Sequence, residues 1–467
     1  MQKSVSVRTL PRLRTESDSQ DREQLLQDQI ERLLDRLQLA VVFGGDKFAP
    51  GGVVYQCHNT RSWKSYEAVA HDIAASLGRI GFRNVRVMPD DMALGDRLRR
   101  DGIQMAWLNT GGVQGYNPAA HAPAMLEMYG VPYVGHDPLN ATTLDNKHAF
   151  KREAICAGLQ TAPFVTWHMA RGPFRPEINS RFQRAFGDYA GPFIVKPVSG
   201  RASLNVHFVE DRERLPEAVA DVYRQTENVV LVEKYLAGRE FCIAVAGPVT
   251  ARGGQIRRNS EPFTLGAIER VLTSEEMMFT AMDVKPITDE RFRTLGGPED
   301  AEVNKSLRQI ACEVFLEFNL GALIRIDLRA DREGNLYILE ANPKPDLKKP
   351  AAGVTSLISA GLPAGMGYDD LILSLFADRM SFLLTHRRAS VQHLIDLMDT
   401  PTLFDFMDPA GAPELRLPPV CDLVGKVDEA AADLNVLALQ ATLQAAYPGE
   451  ARVEPAPSTP MAAERAA

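Results

Sequence analysis

The sequence predicts an α/β protein with a parallel N-terminal sheet followed by a mixed α+β region. Three observations carry this. Between residues 39 and 134, short apolar runs alternate with helical stretches, the signature of parallel strands joined by crossovers. Gly44-Gly45 and Gly111-Gly112 interrupt the chain just after two of those runs, where open α/β sheets bind ligands. Beyond Asp145 the texture changes to hairpins mixed with helices.

In chain order, residues 17–38 predict an amphipathic helix, with Leu25, Leu26, Ile30, Leu33, Leu34 and Leu37 at helical spacing. The plain expectation is a helix packed on the main body, with a dimerisation helix as the alternative. Strands are expected at residues 39–43, 85–89, 105–108 and 131–134, and helices at 63–78 and 118–129. Residues 193–197 and 204–209 read as a hairpin, and 229–234 and 240–246 as two further strands. Residues 252–300 hold few periodic apolar runs and read as a long irregular stretch, which is usually functional or mobile. Residues 301–318 predict a helix, followed by strands at 322–329 and 336–341. After about residue 390 the signal fades, and residues 448–467 have a disordered composition.

Composition narrows the function. The 467 residues are 45% hydrophobic and 24% charged, which excludes a wholly disordered, collagenous or coiled-coil chain. A net charge of −8 gives no reason to expect a nucleic-acid partner, though a small phosphate compound needs only a local cluster of donors. The five cysteines are scattered, with no Cys-x-x-Cys pair, so reduced thiols in a cytoplasmic protein are expected. The most apolar stretch, residues 371–384, is too short for a membrane span and carries Asp378 and Arg379. The first fifteen residues are basic, lack the apolar core of a secretory signal, and read as a disordered arm.

Strand geometry points to one site. Arg325 and Asp327 share a face of one strand, and Glu340 and Asn342 share a face of the next. Asp331-Arg332-Glu333-Gly334-Asn335 is a turn sequence, so the two strands should pair. A loop at residues 332–335 sets Asp327 opposite Glu340 and Arg325 opposite Asn342, with side chains starting ~5 Å apart. Two carboxylates and an amide oxygen suit a hard divalent cation; the competing reading is a solvated polar face with routine ion pairs. Lys196 ends an apolar strand before the small-residue run from Pro197 to Ser203, and Lys147 follows Leu144-Asp145-Asn146 at a helix start. Both could hold phosphate oxygens. The P-loop and Gly-x-Gly-x-x-Gly fingerprints are missing.

The order of these features resembles the ATP-grasp superfamily, and within it the D-alanine–D-alanine ligases, over roughly residues 40–385. The carrying segments are Val41-Val42-Phe43-Gly44-Gly45, Tyr129-Gly130-Val131-Pro132-Tyr133-Val134-Gly135 leading to Leu144-Asp145-Asn146-Lys147, and Ile194-Val195-Lys196-Pro197. Then come the run from Val232 to Glu240, Arg325-Ile326-Asp327, and Leu339-Glu340-Ala341-Asn342-Pro343.

The resemblance implies an ATP-grasp fold behind a Rossmann-like (pre-ATP-grasp) domain. The expected divisions are an arm and helix at 1–39, the α/β domain at 40–140, a lid at 141–235, a catalytic domain at 236–390, and a helical extension and tail at 391–467. It implies that Lys147 and Lys196 bind ATP phosphates, under a small loop containing Ser203. Glu233, Lys234 and Leu236 would line the adenine slot through backbone and side chain, and Glu240 would hold the ribose. Asp327, Glu340 and Asn342 would hold Mg²⁺ (or Mn²⁺), Arg325 would stabilise oxyanion charge, and Lys285 would close over the γ-phosphate.

The implied reaction is ATP-driven carboxylate–amine ligation of amino acids or peptides through an acylphosphate. The alternatives are a genuine D-alanine–D-alanine ligase or a non-catalytic ATP-binding sensor or scaffold. Relatives in the family are often dimers, so a homodimer is an expectation too. The substrate residues depart from the family. An insertion at residues 48–58 leaves Thr60 before Ser62 and Ser65, and Pro343-Lys344-Pro345-Asp346-Leu347-Lys348-Lys349 replaces a small-residue loop. The substrate candidates are therefore Thr60, Ser65, Lys344 and Lys348, in a divergent pocket.

Overall fold

The computed structural model describes residues 16–46, 48–49, 52, 63–115, 117–200, 203–272, 291–350 and 356–398. Strands β1 (Gln38–Gly44), β2 (Asn84–Asp90), β3 (Met105–Asn109) and β4 (Tyr133–Val134) form a parallel sheet ordered β2-β1-β3-β4. Strand β1 reads as a continuous apolar run because both its faces are covered. Leu39, Val41 and Phe43 pack with Ile73 and Leu77 of α2 (Trp63–Ile80). Ala40 and Val42 face Leu94 and Leu98 of α3 (Leu94–Arg100) and Leu126 of α4 (His121–Met128). Helix α1 (Glu16–Leu33) buries Leu26, Ile30 and Leu33 in the same core as α2, which is the expected packing on the main body.

Helices α5 (Pro138–Asp145) and α6 (Lys147–Cys156) lead into a second, antiparallel sheet. It orders β5 (Phe164–Trp167), β8 (Val230–Lys234), β6 (Phe193–Pro197) and β7 (His207–Val209) as β5-β8-β6-β7. Helices α7 (Ser180–Phe186) and α8 (Leu215–Thr226) cover it, and Phe182, Phe186 and Phe193 fill the space beneath.

The third sheet carries β9 (Glu240–Ala246) at its centre, followed in the chain by the β10 (Val249–Arg252) and β11 (Gln255–Arg258) hairpin. Its other strands are β12 (Phe263–Thr264), β13 (Ile268–Arg270), β14 (Phe292–Thr294), β15 (Ile324–Ala330) and β16 (Leu336–Asn342). Four of these strands fall within residues 252–300, which sequence patterning left irregular. They are two to four residues long, too short to display a period.

Strict alternation sorts the two faces of the sheet. Phe241, Ile243, Val245, Ile324, Ile326 and Leu328 pack against α6 and α9 (Ala301–Glu317). Glu240, Arg325, Asp327 and Arg329 project from the opposite face.

The β15–β16 pairing has the expected partners, Asp327 with Glu340 and Arg325 with Asn342. The route to it differs. Ala330 pairs with Leu336, so the connection spans residues 331–335, one longer than expected, and a bulge after Asp327 leaves Leu339 unpaired and restores the register. Beyond the sheet, α10 (Leu357–Ala360) precedes α11 (Tyr368–His386), which is the apolar stretch already noted, and α12 (Gln392–Met398) packs on α1. Among the described residues no helix is long and apolar enough to cross a membrane. Among them Cys156, Cys242 and Cys312 are free thiols.

Helix α11 joins the N-terminal sheet to the hairpin of β10 and β11 through one core, and Phe376 sits in it fully buried, 4.8 Å from the Phe82 ring. Phe376→Ala should cost about 3–5 kcal/mol in a urea unfolding titration. A loss below about 1 kcal/mol would show that this junction does not hold the parts together.

Candidate active site

A cleft enclosing roughly 820 Å³, part of it open to solvent, runs between the β6–β8 sheet and the third sheet. Lys147, Lys196, Ser203, Glu233, Lys234, Leu236, Glu240, Asp327 and Glu340, all singled out from the sequence, line it. Local structure explains why the lysines point inward. Asn146 caps α6 by accepting from the His148 and Ala149 N–H groups at 3.1 Å. The Lys147 N–H donates to the Val198 carbonyl at 2.8 Å, tying the helix start to the end of β6. In β6, Lys196 shares a face with Ile194, and Ile194 lies directly across from Glu233 of β8.

The charged side chains form three connected groups. In the first, Glu233 is 1% exposed and sits 2.7 Å from both Lys151 and Lys196. Lys151 is fully buried and also donates to Thr161 and, at 3.4 Å, to the Ile338 carbonyl. Burial opposes ionisation of Glu233, but the two ammonium groups overcome it and hold its carboxyl below the usual range. Burial holds Lys151 below its ordinary value, while Glu233 and Glu340 outweigh burial at Lys196 and raise it.

In the second group Lys147 donates to the Gly200 carbonyl at 3.1 Å and pairs with Glu340 at 3.1 Å. In the third, Arg325 clamps Asp327 bidentately at 2.8 and 2.9 Å. Arg270 bridges Glu240 at 2.8 Å and Asp327 at 3.0 Å. Arg329 approaches Glu240 at 3.5 Å while stacking on Tyr235. The Asn342 amide donates to Asp327 at 3.4 Å. Burial raises the cost of charging Asp327, yet the two guanidinium groups hold its carboxyl down at about 2.

Lys151, Arg270 and Arg329 were not singled out from the sequence. Two of them left a signal. Lys151 follows Lys147 by four residues on one helix face, and Arg329 continues the alternation of Arg325 and Asp327. Arg270 lies on a three-residue strand and left none.

The Glu233 carboxylate is committed to the two lysines, so its contribution to an adenine slot reduces to backbone. Thr60 and Lys285 lie outside the described residues, as does the Ser65 side chain. Lys344 stands apart from the three groups, 3.8 Å over the Tyr66 ring and 3.5 Å from Asn109 Oδ1 at the end of β3. Lys348 contributes its carbonyl, which accepts from the Ser359 hydroxyl at 2.6 Å.

Among the described residues no three His, Cys, Asp or Glu side chains converge as a metal cluster. The donors at the pairing of β15 and β16 are nonetheless all oxygens, from two carboxylates and an amide, and the Arg270 guanidinium already lies against Asp327 as a stand-in cation. That chemistry fits Mg²⁺.

Residues 155–377 match the family model described as D-ala D-ala ligase C-terminus. An uncharacterized protein, y4sG, of Sinorhizobium fredii is 29% identical over 56% of this chain and 70% of its own length. D-alanine–D-alanine ligase A of Escherichia coli K12 is 29% identical over 54% of this chain and 63% of its own length, so the alignment spans less than two thirds of that ligase. Among solved structures, D-alanine–D-alanine ligase from Bacillus anthracis complexed with ATP superposes with a TM-score of 0.52 at 18% identity. That superposition covers 74% of this chain and 98% of the other. The VanG D-Ala:D-Ser ligase of Enterococcus faecalis gives 0.53 at 16% identity, over 73% and 99%. The fold is therefore that of an ATP-grasp protein. Over residues 155–377 the chain is similar in sequence to D-alanine–D-alanine ligases.

Replacing Glu233 with Gln would leave two buried ammonium groups without their counter-charge. Glu233→Gln should cost about 3–5 kcal/mol in chemical denaturation. A variant as stable as the parent would show that the two lysines do not depend on the pairing.

Proposed function

We propose that this chain is an ATP- and Mg²⁺-dependent carboxylate–amine ligase that joins amino acids or peptides through an acylphosphate. The observation that carries the reading is one cleft holding Lys147, Lys196, Glu240, Asp327 and Glu340 together, with the family match over residues 155–377 in support.

In this reading Lys147 and Lys196 neutralise the phosphate oxygens of ATP, with Gly200 and Ser203 in the same cleft. Leu236 supplies an apolar wall for adenine, and Glu240 accepts from the ribose hydroxyls. Asp327, Glu340 and Asn342 would hold Mg²⁺, whose positive charge would be supplied beside the phosphoryl group being transferred. A substrate carboxylate attacks the γ-phosphate, giving the acylphosphate and ADP. The amine of the second substrate then adds to the acyl carbon, and phosphate leaves as the amide forms. Arg325 meets the charge that collects on the oxyanion of the tetrahedral intermediate. Lys344, which follows β16 and lies 3.5 Å from Asn109 at the carboxyl end of β3, is the residue placed on the substrate side in this reading.

The test is ADP release by the full chain with Mg²⁺-ATP and a panel of D- and L-amino acids, with product identified by mass. Amide product from a pair other than two D-alanines supports a divergent pocket, and product from D-alanine alone makes the chain a D-alanine–D-alanine ligase. ATP binding with no product from any pair leaves the binding-only alternative. Glu340→Ala should lower turnover by at least about a hundredfold, as expected for loss of a metal-holding carboxylate. An unchanged rate would remove Glu340 from the metal set.

A further inference from the structure

Taken together, the three groups hold four carboxylates and six cationic side chains, a formal excess of two positive charges, and Lys234 in the cleft wall adds a third. Most of these groups are buried, so their charges act on a ligand with little screening. Each carboxylate expected to touch nucleotide or metal is already matched by the chain itself. Glu340 has Lys147, and Glu240 and Asp327 share Arg270.

We infer that the metal site is closed to free divalent cations and opens only to a metal–nucleotide complex, with Arg270 as the residue that closes it. This rests on the proposed assignment of Glu240, Asp327 and Glu340 to nucleotide and metal.

The charge count decides the order of binding. A free divalent cation would add to the positive excess of a buried cleft and would have to displace the Arg270 guanidinium from Asp327, leaving it Glu240 as its carboxylate partner. A triphosphate with about four negative charges at neutral pH, entering alone, would reverse the sign instead. The complex of the two carries about two negative charges and offsets most of the excess without reversing it. The phosphate oxygens also supply new partners for the cations that the metal releases. Arg270 suits this part because its rigid planar fork sets one nitrogen on Glu240 and the other on Asp327, a fixed spacing that an ammonium lacks. Arg325 holds both Asp327 carboxylate oxygens through contacts separate from those of Arg270.

The experiment is Mn²⁺ titration of the full chain followed by the electron paramagnetic resonance signal of free Mn²⁺, with and without a non-hydrolysable ATP analogue. The parent should bind Mn²⁺ at least about tenfold more tightly with the analogue present, and Arg270→Met should tighten nucleotide-free binding by about tenfold or more. Arg270→Lys keeps a charge but loses the fixed fork, so it should tighten nucleotide-free binding less; it also serves if the Met variant does not fold. Arg224→Met, which removes an exposed guanidinium paired with Asp221 on α8, should leave both affinities unchanged. Equal affinity of the parent with and without the analogue, or no tightening in either Arg270 variant, overturns the inference and leaves the ligase reading standing. Failure to bind Mn²⁺ even with the analogue overturns the metal assignment underneath both.

Discussion

The structure depends on solving one electrostatic problem: how to keep a dense set of charges away from water without leaving any unpaired. Desolvating a carboxylate or an ammonium costs several kcal/mol unless a partner is held in good geometry. The partners here come from different elements. Lys151 and Lys147 are on α6, Lys196 and Glu233 on the second sheet, and Asp327, Glu340, Glu240 and Arg270 on the third. Pairing them fixes the second sheet against the third and leaves the cleft between them. Phe150 and Ala154 of α6, meanwhile, sit in the apolar core of the third sheet. The helix that carries two of the lysines is therefore anchored by packing, and its charged face is aimed by what the other face buries.

The same division of faces organises the third sheet. One side of β9 and β15 is apolar and covered by α6 and α9, which leaves charged residues only one direction to point. The chemistry of the cleft is a by-product of period two on strands whose other face is the core. The carboxyl end of the parallel strands meets this arrangement at Lys344, whose ammonium rests on Tyr66 and Asn109. In the proposed reaction, that junction is where a substrate would meet the activated phosphate.

Much of this was legible in the sequence, and the exceptions have physical causes. The facing of Asp327 and Glu340 followed from alternation and a turn sequence, because side-chain period does not depend on distant parts of the chain. The expected register at the site was reached by two departures that cancel: a connection one residue longer, and a bulge at Leu339. Turn chemistry located the loop but could not count its residues, since Asp331 closes the turn by accepting from Asn335 and Glu333 N–H groups. Arg270 was hidden for a different reason. Its strand is held by pairing with β9 and β14 rather than by any pattern of its own. The commitment of Glu233 to two lysines was equally hidden, because Lys151 and Lys196 are far apart in sequence and meet only when α6 packs beside β6 and β8.

The central claim is that this cleft transfers the γ-phosphoryl group of ATP to a carboxylate. It is tested most directly with an amino acid substrate labelled with ¹⁸O in its carboxylate, incubated with the chain, Mg²⁺-ATP and an amine substrate. An acylphosphate route moves one labelled oxygen from the carboxylate into the inorganic phosphate released, which mass spectrometry reads. Unlabelled phosphate accompanying amide product would contradict the account.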